Sequence, residues 1–320
     1  SEEMYLSAME IYRRLAAVNP QVYEPGLATT QNNLGSLYRD TQRYEDSEKM
    51  YLSAVEIYQR LSVANPQVYE PDLARTQNNL GLLYSDTRRY GDSEKIYLSA
   101  LEVYQRLSVA NPQIYEPGLA MTQNNLGLLY KDTRRYEDSE EMYLSAVEIY
   151  QRLTIANPQV YEPYLARTQD NLGTLYDNTQ RYKDSEKMYL SAMEIYRRLA
   201  AANPQVYEPD LAGTQNDLGI LYSDTRRYEE SEEMYLSAVE IYRRLAAANP
   251  QVYEPDLART QYNLGCLYSD TQRYKDSEKM YLSAMEIYRR LAAANPQVYE
   301  PDLAGTQNNL GNLYRDTQRY

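Results

Sequence analysis

Asn33-Leu34-Gly35-Ser36-Leu37-Tyr38 returns six more times along the chain with little change, and nine residues after Tyr38 come Ser47 and then Met50-Tyr51, whose serine and tyrosine return after every copy but the last. Its glycine marks the period: Gly35, Gly81, Gly127, Gly173, Gly219, Gly265 and Gly311 each stand 46 residues after the last. A fixed period in this range identifies units that cannot bury an apolar face alone and do so against their neighbours. The 320 residues therefore read as one elongated domain, residues 1–320, and not as the two globular domains that length alone would give. The sequence opens inside one repeat and closes two residues short of seven full periods, so a piece of a longer protein is expected.

Composition multiplies what one repeat contains. There are 37 tyrosines, and no histidine, phenylalanine or tryptophan. Lack of histidine removes the commonest general base and metal ligand from every repeat. No stretch offers phosphate-cradling glycines or metal-ligand spacing, so neither catalysis nor a cofactor or metal is expected. A formal net charge of -13 argues against a nucleic-acid backbone as partner, which would require a basic surface. The single cysteine, Cys266, cannot form an internal disulfide, and no apolar run is long enough to span a bilayer. A reducing, cytoplasmic setting without membrane insertion is the expectation.

Within one repeat, Tyr5, Ala8, Tyr12 and Leu15 fall at i, i+3, i+7 and i+10, one stripe of a helix over about residues 1–18, here called B. Asn19-Pro20 ends it, because proline lacks the amide donor and disfavours helix at the residue before it. Residues 21–24 read as a connector, with Pro25 starting a second helix, A, whose stripe is Leu27, Leu34 and Tyr38. Helix A is expected to run to about Thr41, with Asp46 capping the next helix B at Ser47. Each helix would span about 17 residues. A glycine at position 35 costs a helix about 1 kcal/mol against alanine, so seven in register point to a neighbour too close for a Cβ.

Leu34-Gly35-x-x-Tyr38, with Ser47-x-x-x-Tyr51 and Ala54 behind it, resembles the tetratricopeptide repeat, and these residues recur in every repeat of the chain. Gln31 stands where that family has tryptophan, its terminal proline is displaced to Pro66, and the period exceeds the usual length of about 34. Long repeats with Asn-Asn-Leu before the glycine are most similar to the kinesin-light-chain type. HEAT and armadillo arrays share a period near 46 but do not call for Leu-Gly-x-x-Tyr. The resemblance implies an all-α, right-handed superhelical solenoid of antiparallel helix pairs, with helix A lining a concave groove that holds peptides and helix B packed against the glycine.

The repeats differ from one another mainly along one face of helix A. The most diverse column is Ser36, Leu82, Leu128, Thr174, Ile220, Cys266 and Asn312; others hold Arg75, Arg167 and Arg259, or Lys131 and Asp177. Either a solvated face has drifted, or these are ligand contacts varied on a fixed scaffold. Beside them runs a row of amides, Asn33, Asn79, Asn125, Asn171, Asn263 and Asn309, broken by Asp217, each able to donate and accept toward an extended peptide. Asp170, Asp177, Asp217 and Asp224 fall in two successive repeats, giving the candidate groove an acidic middle and a preference for a ligand with central Lys or Arg. Asn32, Asn78 and Asn124 stand where a carboxylate clamp would need lysine.

Three roles remain open on these grounds: a scaffold that binds a peptide or partner helix, an architectural array that self-assembles head to tail, and the recognition arm of a larger signalling protein. For the second, the expected contact joins Tyr5, Ala8, Tyr12 and Leu15 at the first helix to Leu303, Leu310 and Tyr314 at the last.

Overall fold

The computed structural model describes residues 1–318. Seven B helices, α1 (Glu2–Ala16), α3 (Tyr44–Ala64), α5 (Tyr90–Ala110), α7 (Tyr136–Ala156), α9 (Tyr182–Ala202), α11 (Tyr228–Ala248) and α13 (Tyr274–Ala294), alternate with seven A helices among the described residues. The A helices are α2 (Pro20–Asp40), α4 (Pro66–Asp86), α6 (Pro112–Asp132), α8 (Pro158–Asn178), α10 (Pro204–Asp224), α12 (Pro250–Asp270) and α14 (Pro296–Asp316). The fold is all-α and of the tandem helix-pair kind that the period predicts.

The elements are longer and the connectors shorter than the sequence reading allows. Helix A starts at Pro20 and not at Pro25, which lies inside the helix. Both prolines suit a first helical turn, but Pro25 forfeits only one i to i−4 bond near an exposed end. Between α1 and α2 the break is residues 17–19, and at the later B-to-A junctions it is a single residue: Asn65, at φ -146° and ψ 83°, both ends α3 and begins α4. Proline at position 66 forces that extended backbone on it.

Three residues join A to the next B. Thr41 closes α2, Gln42 takes φ 60°, and Arg43 begins the next helix in place of the expected Asp46 cap. The Arg43 amide donates to the Tyr38 carbonyl at 2.8 Å and the Gln42 amide to the Arg39 carbonyl at 2.9 Å, a Schellman closure built without glycine. Arg88, Arg134, Gln180, Arg226, Gln272 and Gln318 repeat the left-handed turn.

Contacts divide the chain into two compact units, Ser1–Tyr161 and Glu162–Tyr320. In the first, each helix from α1 to α7 packs on the next, and α2 also touches α4 and α4 touches α6. In the second the same holds from α9 to α14, with α10 touching α12 and α12 touching α14. Within a unit no B helix touches the next B helix, among the described residues. Successive A helices are thus closer than successive B helices, which puts the A face on the inner side of each unit.

The tyrosine stripe is core. Tyr51, Tyr58, Tyr97 and Tyr143 are essentially inaccessible. A Cβ built on Gly35, Gly81, Gly127, Gly173, Gly219 or Gly265 would lie 2.6–2.9 Å from the ring of the tyrosine sixteen residues on, so helix B's ring occupies the glycine's missing side chain. The serine four residues before that ring donates to the same glycine's carbonyl, as Ser47 does to Gly35 and Ser139 to Gly127, both at 2.7 Å. At the outer edge, Tyr38 and Arg43 both donate to Glu2, at 3.1 and 2.8 Å, and the Arg43 guanidinium lies 4.1 Å above the Tyr38 ring. Arg89 with Tyr84 and Glu48, and Arg273 with Tyr268 and Glu232, repeat the tie.

At the first helix Tyr5, Ala8 and Tyr12 are half-buried and Leu15 is exposed, whereas their counterparts Tyr51, Ala54, Tyr58 and Leu61 are buried. The last helix corrects the expectation. Leu310 is buried and Leu303 and Tyr314 are half-buried, because these side chains pack back toward Tyr281 and Met285 of α13. What α14 leaves open is the other face, Ala304, Gln307, Asn308 and Gly311, whose counterparts in α2, Ala28, Gln31, Asn32 and Gly35, are buried.

Candidate peptide-binding faces on the A helices

The most variable column turns out to sit at the rim of the core. Ser36 shares a 2.9 Å hydrogen bond with the Tyr51 hydroxyl; Tyr189 donates to Thr174 at 3.1 Å and Tyr281 to the Cys266 sulfur at 3.4 Å. Leu82, Leu128 and Ile220 are half-buried in the same place, and the Tyr143 hydroxyl, opposite Leu128's column, is buried with no hydrogen-bond partner. Variation here changes what the tyrosine hydroxyl meets as well as what a ligand would meet. Burial pushes the Cys266 thiol up, which leaves it an ordinary small side chain at neutral pH.

Arg75 and Arg259 are exposed but held within their own helices, donating to Asp72 at 2.7 Å and Asp256 at 2.9 Å. Exposed Arg167 has Tyr164 at the matching position of its helix, and its charge acts instead on Asp210, holding down a carboxyl that burial raises. Lys131 is half-buried at the end of α6.

The asparagine row is largely committed to the scaffold. Asn79 donates to Asn32 at 2.9 Å, Asn263 to Asn216 at 3.1 Å and Asn309 to the Tyr262 hydroxyl at 2.9 Å, each reaching back to the preceding repeat. Asn309 also donates to the Cys266 sulfur at 3.7 Å, whereas the amides of Asn79 and Asn263 each have a second N–H beyond this bond. Asn33 and Asn125 accept from Asn32 and Asn124 beside them, at 3.4 and 3.5 Å, and Asn171 is half-buried. The residues one position earlier, which the sequence reading left out of the candidate site, are what the row binds: Asn78 also donates to Thr122 of the next repeat at 2.7 Å.

The acidic residues come together in the second unit. Thr214 donates to Asp170 at 2.7 Å and Asn216 to Asp217 at 3.1 Å. Asp177 has a buried carboxylate oxygen without a hydrogen-bond partner, and Asp224 is exposed. Burial, with the negative charges of Asp224 and Asp217, raises the Asp177 carboxyl from 3.8 to about 6. In the first unit the same two columns hold Arg39 and Asp86, 3.9 Å apart. The pairing that neutralises the inner face in one unit is replaced in the other by two carboxylates.

An acid whose folded pKa lies above its unfolded value binds its proton more tightly when folded, so ionising it destabilises the fold. The Asp177 contribution should therefore favour the second unit below about pH 4 and be lost as pH rises through about 6. Urea unfolding midpoints across that window should fall with rising pH, and Asp177→Asn should flatten the slope and raise stability at neutral pH.

Away from the A face, a recess of about 540 Å³ between the α8–α9 turn and the end of α10 is lined by Arg181, Tyr182, Leu221, Tyr222 and Arg227. Its equivalent recurs around Arg273, Tyr274 and Leu313, which marks it as a feature of the repeat. Among the described residues no group of three or more acidic or cysteine side chains could hold a metal ion, and no helix is long and apolar enough to cross a membrane.

Solved structures with the same fold include BtubC (BKLC) from P. vanneervenii, with a TM-score of 0.64 at 23% identity over 79% of this chain and 92% of that one. The apo form of RapI gives 0.60 at 16% identity over 90% and 93%. A putative kinesin light chain of Podosopora anserina with nearly identical TPR-like repeats gives 0.52 at 14% identity over 69% and 96%. No curated protein matches the sequence. The sequence profile of the tetratricopeptide repeat matches residues 26–106, 72–152, 118–198 and 210–290, more than half of the chain and the same helix pairs that carry the glycine and tyrosine contacts. The chain belongs to the tetratricopeptide repeat family.

Proposed function

We propose that this chain is a protein-interaction scaffold whose inner faces, lined by the A helices, bind extended peptide, and that the second unit prefers a segment carrying Lys or Arg. Membership of a family of protein-binding repeats supports the first part. The observation that carries the second is the meeting of Asp177, Asp217 and Asp224 on α8 and α10, with one Asp177 oxygen buried and unpaired. A guanidinium or ammonium there would supply the missing donors and offset the repulsion between carboxylates.

A fluorescent peptide with central arginines should bind the chain, and Asp170→Asn with Asp217→Asn should weaken it about tenfold or more at low salt. Binding near pH 6 should release protons, because a cation favours ionised Asp177. Equal affinity at low and high salt, or for an all-acidic control peptide, would remove the basic preference. An inert neutral peptide panel would count against the peptide-binding reading itself.

A further inference from the structure

The outer side of the second unit carries a groove that the inner faces do not share. Successive B helices do not touch, so α11 and α13 flank a gap floored by α12, a recess of about 570 Å³. Buried Val239, Leu264 and Tyr268 form its floor, with exposed Leu236 on one wall and half-buried Met280 on the other. Glu240 and Arg243 stand on the α11 rim, Asp276 and Lys279 on the α13 rim. Asp276 is already held by Arg273, which donates to it at 3.0 Å. Arg243, Lys279 and Glu240 are exposed and enter no ion pair among the described residues, which leaves two cations and one acid open at the mouth.

This combination occurs once within the two units. Between α9 and α11 the columns of Val239, Arg243 and Lys279 hold Met193, Arg197 and Glu233, and no pair of successive B helices in the first unit has valine together with two cations there. The short valine leaves depth that a methionine would fill, and the cations stand on opposite rims.

We propose that this groove binds an amphipathic helix of a partner protein, whose apolar stripe of leucine or phenylalanine is flanked on both sides by carboxylates. Charge complementarity selects the acids, because Arg243 on one rim and Lys279 on the other outnumber the one open acid, Glu240. The occupant is helical because the walls are helices whose backbone groups are already bonded. An extended segment would bury its amides against apolar side chains without partners, whereas a helix satisfies its own. The apolar anchor sits over Val239 between Leu236 and Met280, and the flexible methionine adapts to its shape. This surface is separate from the inner faces and does not rest on peptide binding there.

Synthetic helices of about 18 residues that share one leucine stripe, with flanks of glutamate, glutamine or lysine, test it by fluorescence anisotropy against the whole chain. The glutamate helix should bind at least about tenfold more tightly than the lysine helix at low salt, and the margin should shrink as salt rises. Val239→Met places in the floor a side chain that α9 and α13 already carry at that position, Met193 and Met285. It should leave the helical signal unchanged while weakening the glutamate helix by about tenfold. Lys279→Glu, whose new residue stands at the same position of α11 as Glu233, should weaken that helix by roughly three- to tenfold and strengthen the lysine helix. Asp170→Asn with Asp217→Asn should leave its affinity within about twofold, which separates this groove from the inner face. No binding, equal affinity for the acidic and basic helices, or binding indifferent to Val239→Met would overturn the proposal. Self-association of the chain that Val239→Met abolishes would overturn it too, since the occupant would then be a second copy.

Discussion

Replacing Gly127 by alanine should destabilise the first unit by about 1–2 kcal/mol, whereas the same change at Gly311 should stabilise the second unit by about 1 kcal/mol. Alanine is the better helix former at both positions by about 1 kcal/mol, so propensity alone predicts two gains. At Gly127 the new methyl would stand 2.7 Å from two carbons of the Tyr143 ring. That ring is fully buried, so it cannot swing into solvent, and relief must come from shifting α7 against α6. Overpacking of this kind costs about 1–3 kcal/mol and outweighs the helix term. At Gly311 nothing stands within 4 Å, and only the helix term remains. Urea midpoints for the two variants should move in opposite directions; movement in the same direction would show that the ring does not set the identity of the residue at position 127.

Approached from the other side of the contact, Tyr143→Ala should cost about 3–5 kcal/mol, the largest loss expected from a single truncation in the first unit. The side chain lies between α6 and α7 with no exposed surface, and its removal leaves a cavity bounded by glycine on one wall, which has no atoms with which to fill it. Tyr143→Phe separates the ring from its hydroxyl. That hydroxyl is buried without a partner, so deleting it should stabilise by about 1 kcal/mol. Tyr51→Phe should have the opposite sign and cost about 0.5–1.5 kcal/mol, since it breaks the 2.9 Å bond to Ser36. Thermal and urea unfolding of the three variants check the series; a stabilised Tyr51→Phe would show that the Ser36 bond contributes nothing net.

The period, the pairing of helices and the reason for Gly35 were all legible in the sequence, because each follows from apolar spacing and from the cost of glycine in a helix. The helix boundaries were not. Pro20 and Pro25 satisfy the same first-turn rule, and only packing decides between them. The turn after helix A was hidden because its left-handed residue is Gln42 or Arg88 and not the glycine that normally announces one. The asparagine row was visible as a pattern, but not its partners, since the reach from Asn79 back to Asn32 depends on how far one A helix is displaced along the next. The acidic pair was legible in composition and spacing, while the burial that raises Asp177 needed the fold.

The sameness of the glycine and tyrosine seats also bears on how the chain finds its structure. The ties that hold a unit join residues 12, 36 or 41 positions apart, so contact order is low and each junction can form quickly. Yet the seat on α2 would accept the ring of α5 or α7 nearly as well as that of α3, because the contacting residues are the same. Register is then selected by the three-residue turn that presents the correct helix first, and by little in the interface itself. Such a chain folds on a landscape with near-degenerate mispairings, whose escape requires unseating a buried ring. Refolding should thus show a slow phase that grows as that turn is lengthened.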